Sequence, residues 1–176
     1  MNLKTNNIVE IELGKICKEI YRYPSYYGID YVADGMPEIR GELILDNGDI
    51  NIDQKQLRFI SQETSKKFPR TILEPYDLVM SVRGTIGKIG LVPEKLKGAN
   101  ITANLIRISP YKEIVNPRYL WHFMRTKHFR AILNHISPST TIKTIRAPDL
   151  KKTKIPLPSL EEQKRIAEIL DRADAI

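Results

Sequence analysis

The stretch Gly84-Thr85-Ile86-Gly87-Lys88-Ile89-Gly90 holds the residues best suited to meet an anion, since glycines let backbone amides approach a phosphate and Lys88 adds charge. It is not a nucleotide loop. A Walker loop has four residues between its glycines and a Ser or Thr after the lysine, whereas two intervene here and Ile89 follows. The pattern predicts a tight strand-to-strand turn, one that can present Arg83, Thr85 and Lys88 to the phosphates or base edges of a nucleic acid.

Other groupings with catalytic composition fail on spacing. Pro148-Asp149 with Glu162-Gln163-Lys164 has the residue types of a Mg²⁺-dependent nuclease, but that chemistry needs Glu and Lys on one face of a strand. Glu162 and Lys164 open a helix, where residues two apart diverge. Glu74-Pro75-Tyr76 approaches the Asp/Asn-Pro-Pro-aromatic motif of base methylation and lacks its first residues. His122, His128 and His135 miss the i, i+4 spacing of a helical metal pair, and Cys17 stands alone, which excludes a disulfide within the chain and a cysteine-rich zinc site. Nothing near Cys17 marks an activating partner, and no Ser-His-Asp arrangement can be built from the sequence. The expectation is a chain with no metal, no cofactor and no catalysis of its own.

A net charge of +7 and a pI near 9.4 favour a polyanionic partner. Lys143, Arg146, Lys151, Lys152 and Lys154 crowd one short segment against Asp149 alone. The 176 residues suffice for one cored domain plus an appended element. No apolar run approaches the ~20 residues that span a bilayer, and Met1 to Leu13 has neither the basic head nor the apolar stretch of a secretion signal, so no membrane partner and cytoplasmic residence are expected.

The elements that must position the turn are read from periodicity. Ile8 to Gly14 reads as a strand, and Lys15 to Ile20 has the apolar spacing of a short helix. Tyr21, Tyr23, Tyr26, Tyr27 and Tyr31 fall in a punctuated loop leading to a strand near Ile29 to Val32. Gly35-Met36-Pro37 and Asp46-Asn47-Gly48-Asp49 read as turns, the second with the Asn-Gly pair of tight hairpins. Tyr76 to Gly84 alternates as a strand, and Ile89 to Val92 and Asn104 to Ile108 complete a mostly antiparallel meander. Asn116-Pro117 then caps a helix expected to run to Asn134, with Trp121, Phe123 and Phe129 in the core. After Pro156 and Pro158, Ser159 and Glu162 form a capping box for a last helix, with Ile166, Ile169, Ala173 and Ile176 at heptad positions and Leu170 widening the seam. Strands first and helices later give an α+β domain, a mostly antiparallel curved sheet with packed helices, followed by a C-terminal coiled-coil-type helix.

The run Lys154-Ile155-Pro156-Leu157-Pro158-Ser159, continuing through Leu160 to Asp171, resembles the join between recognition domain and spacer helix in type I restriction-modification specificity subunits. Asp77 to Val92 is similar to the strand and glycine turn of the same domain, and Leu13 to Cys17 to its opening. The resemblance implies a DNA target-recognition domain over 1–158 and the start of a spacer or dimerisation helix over 159–176. It also implies double-stranded DNA, methyltransferase and restriction subunits as partners, and self-pairing through the last helix. Family subunits carry two recognition domains and two spacer helices, so the chain reads as a half-subunit or a fragment. One DNA-facing surface is expected from Ser81, Arg83, Thr85 and Lys88 with Thr140, Thr141, Lys143 and Arg146 of the polar 137–146 loop. Helix pairing is expected through Ile166, Ile169, Leu170, Ala173 and Ile176. A stand-alone sheet-based DNA-binding regulator and a coiled-coil adaptor that binds no DNA are the alternatives.

Overall fold

The computed structural model describes residues 8–23, 29–137 and 144–175. Strand β1 (Val9–Glu12) leads through a 3-10 turn at Leu13–Lys15 into β2 (Cys17–Arg22). The helix expected from Lys15 to Ile20 is therefore a strand, and Tyr21 belongs to it rather than to a loop. A register shift between Cys17 and Glu19 explains the misleading spacing. A bulge lets Cys17 and Ile20, three apart, both face the core, and so imitates a helical period.

Next come β3 (Tyr31–Val32), β4 (Met36–Ile39), β5 (Arg58–Ile60) and the short helix α1 (Gln62–Lys67). Met36 and Pro37, expected in a turn, begin a strand. Pro37 lies opposite Phe59, while the parallel pairing of β4 with its other neighbour starts only at Glu38, so the missing proline N–H leaves no gap in that ladder. The Asn47-Gly48 turn forms as expected, closed by Leu45 and Asp49 and by an Ile44–Ile50 bridge.

Strands β6 (Leu78–Ser81), β7 (Ile89–Leu91), β8 (Asn100–Ile101) and β9 (Leu105–Pro110) follow. They do not form a simple meander. The first sheet runs β2-β9-β6-β7, so β9 returns on the far side of β6, and the second runs β3-β5-β4-β8 with β4 and β8 parallel. Both faces of β6 are buried. Leu78 and Met80 enter a core shared with the helices, and Val79 enters a second core with Leu105, Ile39, Leu73 and Ile101. Asp77 and Arg107, both buried, fasten β6 to β9 with a 2.8 Å bond, and the Ser109 hydroxyl donates to Asp77 as well. Breaking such a pair from one side costs about 3–5 kcal/mol, because the remaining charge stays buried.

The single helix expected from Pro117 to Asn134 is two, α2 (Pro117–Met124) and α3 (Lys127–Ile136). Asn116 caps the first as expected. Thr126 starts the second by accepting from the Phe129 amide at 3.1 Å, and a second N-cap interrupts a helix that periodicity alone would continue. Trp121 and Phe129 are buried and Phe123 packs against the same core. The chain closes with α4 (Ala147–Lys151), β10 (Lys154–Leu157), which pairs with β1, and α5 (Leu160–Asp174). These elements make the α+β fold, with mostly antiparallel pairing.

Ser159 caps α5 by accepting from the Glu162 amide, but the Glu162 carboxylate turns to Arg165, so the box closes from one side only. The helix docks on α2 by a face that takes in only the Ile166 edge of the apolar stripe. Gln163 is buried, its amide nitrogen donating to Pro158 and Ile114 carbonyls and its oxygen accepting from the Asn116 amide; Ala167 is buried one turn on. Ile166 packs partly against the core, while Ile169, Leu170 and Ala173 face outward and Ile176 lies outside the described residues.

Candidate nucleic-acid interface

The glycine turn joins β6 to β7 at residues 82–88 and is held from beneath by Ser81. Its hydroxyl donates to the Thr85 carbonyl and accepts from the Lys88 amide at 2.9 Å, and the Gly87 amide donates to the Ser81 carbonyl at 2.8 Å. Ser81 is 2% exposed, so in this structure its side chain serves the turn itself. Gly84 and Gly87 have φ of +69° and +80°, which a side chain rarely adopts. Ile86 plugs the turn into the helical core beside Leu133 and Ile145. A hairpin so anchored has little freedom to collapse.

Above that base, Arg83, Gly84 and Thr85 are exposed and Lys88 is half-buried. They line a groove with Gly41, Glu42, Ser81 and Asn104. Thr85 and Lys88 also border a second groove, with Asp46, Arg125 and Arg130. Lys88 is partly engaged, its ammonium 2.9 Å from Asp46 and donating to the Ile44 carbonyl. That contact holds the exposed Asp46 carboxyl below its ordinary range. Arg146 lies at the start of α4 with its guanidinium on Asp149 at 2.7 Å. Thr140, Thr141 and Lys143 lie outside the described residues.

Two neighbours of the turn have no sequence signature. Asn104 is exposed in the groove, and its carbonyl accepts from the Val82 amide. Arg22, at the end of β2, donates to the Ala103 carbonyl and to the Thr144 hydroxyl. Burial, and then the nearby charge of Arg83, lower its pKa.

Cys17 is buried, and burial, with Asp77 behind it, pushes its thiol up to about 12, far from a reactive thiolate. Of the histidines, His122 is buried against Asp171 at 2.7 Å and His128 stands edge-on to Phe123. Among the described residues no three His, Cys, Asp or Glu side chains gather as metal ligands would, and no helix is long and apolar enough to cross a membrane.

The family model for the type I restriction modification DNA specificity domain matches residues 5–176. The chain belongs to that family. It is 32% identical over 161 residues to the EcoBI specificity subunit of Escherichia coli, covering 87% of this chain and 33% of that protein. To the MjaVIII specificity subunit of Methanocaldococcus jannaschii it is 27% identical, over 98% of this chain and 39% of that one. Two solved structures share the fold. One, from work on complex assembly and conformational transition of the type I R-M system, superposes with a TM-score of 0.73 at 22% identity, over 99% of this chain and 40% of that one. The other, the HsdS subunit from Thermoanaerobacter tengcongensis, gives 0.68 at 21%, over 98% and 43%. The specificity domain described here thus spans well under half the length of these relatives.

Proposed function

We propose that this chain reads double-stranded DNA by sequence, catalyses nothing itself, and directs methyltransferase and restriction subunits to the site it reads. The observation that carries the reading is the braced glycine turn, which holds Arg83 and Thr85 in the open, with Lys88 beside them, on a hairpin locked to the core by Ile86. Rigid presentation is what base readout requires, because a side chain fixed in place discriminates between edges that a mobile one would average. The net charge of +7 supplies the sequence-independent attraction. The names of the relatives and the family domain support the same role. In this reading residues 1–158 recognise DNA, residues 159–176 begin the spacer helix, α5 pairs with another helix of the assembly or of a second copy, and the protein works in the cytoplasm.

The test is binding of the purified chain to duplexes with and without the site methylated in the source genome, across a range of salt. Binding should favour the methylatable site and weaken steeply with salt, Arg83→Ala should lower affinity, and a methyltransferase subunit should co-purify. A chain that binds no duplex at about 50 mM salt sinks the reading. Site-specific binding with no methyltransferase in the preparation would favour a stand-alone regulator.

A further inference from the structure

Arg22 ends β2 and Arg83 follows β6, the two strands that flank β9. The Arg22 Nε donates to the Ala103 carbonyl at 3.2 Å, and the Val82 amide donates to the carbonyl of Asn104 at 2.9 Å. The two arginines therefore leave the sheet at the same end, on either side of the residues that lead into β9. Arg40, Arg70, Arg107, Arg118, Arg125 and Arg165 each close on a carboxylate. Among the described residues neither Arg22 nor Arg83 has an ion pair, and the Arg22 guanidinium donates there to two neutral oxygens. A guanidinium does not give up its proton in a protein, so the burial of Arg22 and its repulsion with Arg83 persist until an anion arrives.

We infer that Arg22 and Arg83 together grip one phosphate of the DNA backbone at the head of β9. This rests on the DNA-reading function proposed above. A phosphodiester has two free oxygens, one for each planar fork, and its charge offsets the repulsion between them; a base edge is neutral and does not. Fixing that phosphate sets the register of the duplex, and leaves Asn104 and Thr85 in the adjoining groove to meet base edges.

Salt-dependent duplex binding of the purified chain tests the grip, with circular dichroism checking that each variant folds. Arg22→Gln and Arg83→Gln should each weaken binding with little change in the slope of log K against log salt, because the remaining arginine still neutralises the phosphate. The double variant should lose about 0.9 of that slope, and Arg22→Lys should bind better than Arg22→Gln. A loss of about 0.9 in each single variant and twice that in the double means separate phosphates and overturns the grip. An unaffected double, with parent binding intact, overturns it while sparing the proposed function, and a parent that binds no duplex takes both down. If Arg22→Gln does not fold, duplexes carrying one neutral methylphosphonate replace it. The methylphosphonate penalty should then be smaller than the parent's in both Arg22→Lys and Arg83→Gln at the same phosphate position, and reductions at different positions overturn the inference.

Discussion

Arg118 on α2 holds Asp171 on α5 in a bidentate pair, Nε to one carboxylate oxygen at 2.6 Å and Nη2 to the other at 2.8 Å. His122, one turn along α2, reaches the same carboxylate at 2.7 Å, and Arg125 reaches Asp174 at 3.0 Å. This row of charges, with buried Gln163 and Ala167, decides which face of α5 turns inward. Ile169, Leu170 and Ala173 are left outside because the inward face is the one that carries Gln163, Ala167 and Asp171, with Ile166 at its edge.

The row makes the docking of α5 acid-sensitive. Partial burial opposes ionisation of Asp171, but the hydrogen bonds from Arg118 and His122 outweigh it and hold the carboxyl below its ordinary value. A carboxyl depressed in the folded state stabilises fully above its unfolded pKa, near 3.9, and the contribution disappears as pH falls through the lower folded value. Asp171→Asn should therefore cost about 1 kcal/mol at neutral pH, the upper range for a partly exposed bidentate pair. Its urea midpoint should converge with that of the parent below about pH 4. A constant gap down to the acid transition would mean that the loss is one of packing and not of charge.

Gly48 and Gly84 both have positive φ, yet their surroundings differ. A Cβ on Gly48 would lie 2.7 Å from the ring of Trp121, whereas one on Gly84 would meet nothing within 4 Å. Gly84→Ala should cost only the backbone term, about 1–2 kcal/mol. Gly48→Ala should lose a further 1–3 kcal/mol, roughly, to overpacking against the indole. Equal denaturation midpoints for the two variants would show that the turn at 46–49 shifts freely away from Trp121.

What the sequence made legible follows from how local each signal is. Asn116 before Pro117, Ser159 before α5 and Asn47-Gly48 are caps and turns whose chemistry lies within a few residues, and each formed where expected. The bulge after Cys17 was not legible, because it shows only in the pairing of β2 with β9, some ninety positions away. Thr126 was a readable cap, hidden by an apolar period that runs through it. The role proposed for Arg22 rests on its contacts with Ala103 and Thr144, which no spacing in the chain announces. The start of α5 was legible because prolines and a cap are local too, and the family was legible as a resemblance carried by the Lys154 to Asp171 run.

The outward face of α5 is apolar and uncovered among the described residues. Ile169 and Leu170 are 49% and 38% exposed, and Ala173 is exposed beyond them, while Ile166 packs partly against the core. A pairing test must therefore spare Ile166, whose change to a charged residue would damage the domain as well as any partner contact. Ile169→Asp with Leu170→Asp alters only the free side. Gln163, Ala167 and Asp171 keep the helix docked on α2, so the double variant should unfold within about 0.5 kcal/mol of the parent, as surface changes generally do. If the stripe pairs with another helix, two buried carboxylates at its centre will not be tolerated. The variant should then lose self-association in sedimentation, or lose co-purification with the methyltransferase subunit, while its affinity for duplex DNA stays that of an isolated recognition unit. Unchanged mass and unchanged partner binding would show that α5 serves its own domain through the Arg118–Asp171 row and pairs with nothing.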